Sequence, residues 1–166
     1  MDRKLSERAS LISTALRTGF AEEGISLFSG RMQEGTDILH GLIPNEDGTN
    51  ISCSVLVDSE TGEVRIYVTD VFSDISEDLW AGAVVFCNSL NKDIPSLKFV
   101  FCAETKEIVV LSTISAEVPN SCIGEVVVPL YGKMIETARV IREANRRALK
   151  DNPDGNPFDD SFPSQK

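Results

Sequence analysis

Between Ile51 and Thr69 the chain alternates with a period of two, and this pattern limits the possible folds more than any other feature. Ile51, Cys53, Val55 and Val57 alternate with Ser52, Ser54 and Asp58, interrupted only by Leu56. Val64, Ile66 and Val68 then alternate with Glu63, Arg65, Tyr67 and Thr69. Successive side chains on a strand point to opposite faces, so the pattern predicts two strands, each with a buried and a wet face. The segment between them, Ser59-Glu60-Thr61-Gly62, is polar and ends in glycine. A connection that short forms a hairpin and forces antiparallel pairing. Upstream, Asn45-Glu46-Asp47-Gly48-Thr49 joins a further strand over Ile38 to Ile43 in the same manner, after a polar stretch that runs through Gly35.

The flanking segments have a helical step. Leu5, Ala9, Ile12, Leu16 and Phe20 stack on one face of a helix expected from about Arg3 to Glu23, with Gly24 as its left-handed stop. Over that span Arg3 and Lys4 sit at the positive end of the helix dipole and Glu22 and Glu23 at the negative end, so packing has to hold it. Asp74, with Glu77 three residues on, reads as the N-cap of a second helix. Its apolar stripe is Ile75, Leu79, Ala83, Phe86 and Leu90, with Trp80 alongside, and it ends near Asn91-Lys92 before Pro95. Two more strands follow, Leu97 to Cys102 and Ile108 to Ser115. The last helix carries Ile123, Val127, Leu130, Met134, Ala138, Ile141, Asn145 and Ala148 on one face and ends near Lys150. It either begins near Pro129, where a missing N–H is harmless, or begins earlier and kinks there. The expected fold class is therefore α+β, a five-stranded antiparallel sheet flanked by helices in the order α-βββ-α-ββ-α. Of the 166 residues, 1–150 are expected to form one domain, and 151–166 an acidic tail expected to stay disordered.

Composition narrows the function classes. Charged residues make up 25% and apolar ones 42%, an ordinary globular balance, and the formal net charge of −10 repels nucleic acid unless basic residues are segregated. They are partly segregated: Lys133, Arg139, Arg142, Arg146, Arg147 and Lys150 face only Glu136 and Glu143, a net of +4. At 100° per residue Arg139, Arg142, Arg146 and Lys150 fall opposite the apolar stripe, where a surface helix keeps its solvated side, and no aromatic residue interleaves the charges after Tyr131 to stack on bases. Nucleic-acid or acidic-partner binding through this helix is thus the alternative rather than the leading expectation. No apolar run is long enough to span a membrane, and the N-terminal segment lacks the apolar core of a signal peptide, so a cytoplasmic location is expected.

Residues that could carry chemistry are sparse. Cys53, Cys87, Cys102 and Cys122 are widely spaced, and with a single histidine, His40, they do not form the closely spaced ligand pairs of a zinc site. Glu22/Glu23, Asp58/Glu60 and Asp159/Asp160 fall at a helix end, a turn and the tail, away from apolar surroundings that would raise a carboxyl pKa. A small-molecule or enzymatic site would have to centre on His40, which has no serine, cysteine or second histidine at a recognisable spacing. The expectation is no catalytic residue, no metal and no cofactor. Asn156-Pro157-Phe158, followed by Asp159-Asp160-Ser161-Phe162, has the composition of a short docking segment.

The element order, with Phe86-Cys87-Asn88-Ser89-Leu90-Asn91, Leu97-Lys98-Phe99-Val100-Phe101 and Glu107-Ile108-Val109-Val110-Leu111, resembles the YbjN family and the fold it shares with type III secretion chaperones. The near-motif is Asn88-x-Leu90-Asn91, and Asn91 by itself suits a helix end. The resemblance implies a non-enzymatic, chaperone-like or regulatory protein, a homodimer that binds a polypeptide partner along a sheet edge or apolar groove. Carried onto this chain, it points to the first helix and its surroundings, with Leu5, Ile12, Leu16, Phe20 and Trp80 as the candidate partner-binding residues.

Overall fold

A six-stranded antiparallel sheet, in the order β1-β2-β3-β4-β6-β5, organises the computed structural model, which describes residues 4–31, 35–151, 153 and 155–158. The strands are β1 (Ser26–Arg31), β2 (Thr36–Pro44), β3 (Asn50–Asp58), β4 (Val64–Phe72), β5 (Lys98–Cys102) and β6 (Glu107–Ile114). The helices are α1 (Glu7–Gly19), α2 (Trp80–Asp93) and α3 (Ile123–Asp151), with a 3-10 turn at Glu77–Leu79.

The alternation fixes which face is buried. Ile51, Cys53, Val55 and Val57 of β3 and Val64, Ile66 and Val68 of β4 are fully buried, as the period of two requires. Both hairpins form. Gly48 and Gly62 take left-handed φ values of 81° and 82° in them, and Asp47 and Asp58 accept backbone N–H groups across the turns. All three helices pack on the buried face, with α1 against β2 and α3, α3 along β3, β4 and β6, and α2 at β5. The opposite face, which carries His40, Ser54, Tyr67 and Leu111, is covered by no described helix.

Several expectations are corrected. The sheet has six strands, not five, because Ser26–Arg31, inside the stretch read as polar, pairs antiparallel with β2 from Ser26↔Leu42 to Arg31↔Asp37. Leu27 and Phe28 are adjacent rather than alternating with polar residues over a long run, so their strand left no periodic trace. The first helix is shorter than expected. It starts after Ser6, whose hydroxyl accepts the Ala9 N–H at 3.3 Å, and ends at Gly19. With those bounds Glu7 lies in the first turn and Arg17 in the last, so the helix charges favour the dipole rather than oppose it. Asp74 does not cap the second helix. Its φ of 58° puts it in the left-handed region, whereas an N-cap needs extended backbone, and Ser76 at φ −68°, ψ 154° provides the entry.

Asn91 also differs from its reading as a helix terminator. It lies inside α2, and its amide pairs with both backbone groups of Phe99: Nδ2 donates to the carbonyl at 2.9 Å, and the Phe99 N–H donates to Oδ1 at 2.6 Å. For the last helix the earlier of the two starts holds, since α3 begins at Ile123 with Pro129 inside it. Residues 152, 154 and 159–166 of the tail lie outside the described residues. Of the described tail residues, Pro157 is buried and the Phe158 ring lies 4.8 Å from Phe72 and 5.5 Å from Phe86 between centroids.

Candidate functional site

The uncovered side of the sheet is built row by row from register. Phe28 on β1 faces His40 on β2, His40 faces Ser54 on β3, Ser54 faces Tyr67 on β4, and Tyr67 faces Leu111 on β6. Ile38 and Leu56 face each other in the next row. These are the out-pointing positions of strands whose in-pointing partners fill the core, so burying one face presents this row on the other. Phe28, at the free edge, is 58% exposed.

The two sheet edges differ. At β5 the Asn91 amide takes up the outward N–H and C=O of Phe99, so that residue is not free to pair with a further strand. At β1 the one described side-chain bond to the strand backbone comes from Arg17, whose guanidinium donates to the Leu27 carbonyl at 2.7 Å. The other residues of that edge, Ser26, Phe28, Ser29 and Gly30, are exposed. β1 therefore combines an accessible backbone with a large exposed aromatic side chain, the two features that β-augmentation needs.

Of the residues named from the sequence, Ile12 and Leu16 are fully buried and Phe20 is nearly so, all within the core beneath α1 and α3. Leu5 and Trp80 are half-buried against that core. The Trp80 ring lies 5.7 Å from Phe101, and its indole N–H donates to the Ile75 carbonyl at 3.2 Å. The structure does not bring these five together on one surface: α1 packs at the β2 side of the sheet, and Trp80 sits at β5. Phe28 was missed. Its only signal was an apolar pair, Leu27-Phe28, set in a polar run.

His40 acquires in three dimensions the serine that spacing did not show, since its Nδ1 lies 3.0 Å from the Ser54 hydroxyl. The pair stands half-buried in the row between Phe28 and Tyr67, on the face that no described helix covers. Burial pushes the Cys53 thiol and the Tyr131 hydroxyl well up and raises Cys87 to about 11, which keeps all three protonated. Among the described residues, no group of three or more potential ligands could hold a metal ion.

The basic helix is occupied with holding the fold. Arg142 donates from Nε to the Asp70 carbonyl at 2.8 Å and from Nη1 to the Asn50 carbonyl at 2.9 Å. Asp70 stands at a β-bulge in β4, so Arg142 satisfies backbone that the ladder leaves unpaired. Arg139 reaches Asn45 at 3.1 Å and Glu23 at 3.4 Å, and Arg146 and Arg147 both grip Glu143. Those two arginines hold the Glu143 carboxyl below the usual range. An open cleft of about 1090 Å³ runs past these arginines, but Glu22, Glu46 and Asp47 line it as well, and such mixed walls would repel a phosphate backbone as much as attract it. No described helix is long and apolar enough to cross a membrane.

The chain matches no protein-family model and no curated protein sequence. Among solved structures it is similar to a chain of the ExsC–ExsE complex, at 13% identity over 84% of this chain and 96% of that one, with a TM-score of 0.50. It also aligns with a chain of the HopA1–SchA chaperone–effector complex, at 13% identity over 84% and 99% of the two chains, with a TM-score of 0.44. At such identity the first likeness concerns the fold: an antiparallel sheet flanked by helices.

Proposed function

We propose that this protein is a non-enzymatic, chaperone-like binding module that takes an extended polypeptide onto the β1 edge and the uncovered row running inward from Phe28. The observation that carries this reading is the difference between the sheet edges: Asn91 occupies both backbone groups of Phe99 on β5, whereas β1 stays accessible beside a 58% exposed Phe28. Main-chain bonding at such an edge supplies affinity for any extended chain, and Phe28, Leu111 and the rows beside them supply side-chain selection. The fold shared with a chain of a two-protein complex and the resemblance to type III secretion chaperones and the YbjN family support the same reading. Ile12, Leu16 and Phe20 enter it as the packing that holds the sheet in place.

The resemblance also implies a cytoplasmic homodimer. Val84 and Val85, 46% and 64% exposed on the outer side of α2, offer the apolar surface for that self-contact.

The binding reading is tested with a photo-crosslinking side chain placed at Phe28 of the full chain, in extract of the native cell. The expected outcome is one dominant polypeptide joined at this position and lost from a Phe28→Asp chain when the same polypeptide is captured by affinity. Equal crosslinking from Glu104, exposed in the β5–β6 turn at the other edge, would overturn the reading.

A further inference from the structure

The C-terminal Asn156-Pro157-Phe158 folds back onto the domain rather than away from it. Its aromatic ring enters between Phe72 at the end of β4 and Phe86 on α2, at centroid separations of 4.8 and 5.5 Å. Pro157 is buried beside it. The turn that presents the ring is closed internally, as the Phe158 N–H donates to Asn156 Oδ1 at 2.9 Å. The segment thus brings its own polar closure and asks only apolar contact of the groove, as short docking peptides do.

A second observation, on the receiving side, concerns Gly82. It lies inside α2, where glycine is a poor helix former, and a Cβ at this position would stand 3.3 Å from Phe158 Cβ and 3.4 Å from its Cδ2. The helix thus forgoes a better residue at the one point where the ring crosses it. Phe72 and Phe86, each 8% exposed with the ring in place, form the other walls.

We infer that this groove is a recognition site for a short proline–aromatic peptide segment of a partner, and that the chain's own Asn156-Pro157-Phe158 occupies it as a built-in competitor. The inference rests on the polypeptide-binding reading above and gives it a second anchor point and a threshold. A tether of a few residues from the end of α3 holds Phe158 at an effective concentration of order millimolar. A partner carrying the same chemistry displaces it only when a second contact, such as the β1 edge, adds affinity. A partner that lacks the β1 contact is held off.

The test uses the full chain, wild type and Phe158→Ala, with a fluorescent synthetic peptide of residues 152–162 as probe. Phe158→Ala is expected to bind the peptide at least about tenfold more tightly than wild type, because the seat is vacated. The Gly82 and Phe86 amide resonances should move in Phe158→Ala and return toward their wild-type positions as peptide is added. A peptide with alanine in place of its Phe158 should not bind. Adding Gly82→Leu to the Phe158→Ala chain should abolish binding by filling the seat. Equal binding to both chains, or none to a Phe158→Ala chain that melts as a folded protein, overturns the inference. Should Phe158→Ala not fold, Phe158→Leu replaces it, and peptide binding no tighter than wild type then overturns the inference equally. The crosslink at Phe28 does not depend on this outcome, so failure here leaves the edge-binding reading standing, and failure there leaves the seat measurable.

Discussion

Among single residues, Gly41 and Tyr131 show how little space the core leaves. Tyr131 is fully buried, its ring 5.1 Å from Phe20, and its hydroxyl lies 3.5 Å from the Cys53 carbonyl. A Cβ at Gly41 would overlap that hydroxyl, so glycine is needed here for the close approach of strand and ring. Gly41→Ala is expected to cost about 1–3 kcal/mol, the usual penalty for overpacking. Tyr131→Phe in the same chain should recover much of it, and a double-mutant cycle by urea denaturation that shows simple additivity would refute the clash. The cysteines give a second residue-scale prediction. Hydrogen bonds from the Thr105 side chain and backbone lower the Cys102 thiol pKa, whereas burial raises Cys87 to about 11 and Cys53 further still. As pH rises from 7, Cys102 should alkylate well before Cys87, and Cys53 only on unfolding, read by mass spectrometry. Thr105→Val should shift the Cys102 profile to higher pH.

Between elements, the decisive contacts are side chains that act as backbone partners. Asn91 completes the β5 edge from α2, and Arg8 ties α1 to the β6–α3 connection through the Val118 carbonyl at 2.7 Å, Asn120 Oδ1 at 2.9 Å and the Ser115 carbonyl at 3.2 Å. Asn91→Ala leaves two half-buried backbone groups of Phe99 without partners and should cost about 1–3 kcal/mol. It should also open the β5 edge, seen as faster hydrogen exchange at Phe99 with little change at β2 and β3. Uniform exchange across the sheet would show that the contact serves global stability alone. Such pairings were not legible beforehand. The spacing of Asn91 suited a helix end, and only the arrival of β5 beside α2 gives its amide a peptide group to pair with.

Taken as a whole, the molecule puts its helices on one side of the sheet and its accessible backbone at one edge. The self-contact proposed for α2 predicts a light-scattering mass of twice 18.1 kDa for the full chain. Val85→Glu should return it to 18.1 kDa without loss of thermal stability, since Val85 is 64% exposed and touches little of the core. A wild-type mass of one chain would remove the dimer while leaving the β1 edge as the binding site.

Alternation in β3 and β4, the glycine-bearing hairpins and the helical stripes were all readable from the chain, because period and turn chemistry are local and need only a few neighbouring residues. From them followed the antiparallel sheet, the buried face and the three helices. Strand β1 was not readable, since six residues with two adjacent apolar side chains carry no period, and they become a strand only because β2 offers them an edge. The partners of Arg139 and Arg142 lie at distant points of the chain, as does the groove that receives Phe158, whose walls come from β4 and α2. Helical geometry placed the arginines opposite the core stripe but could not show what they would meet. Only tertiary structure decides such contacts, because they depend on where separate elements end up relative to one another, and no local pattern encodes that distance.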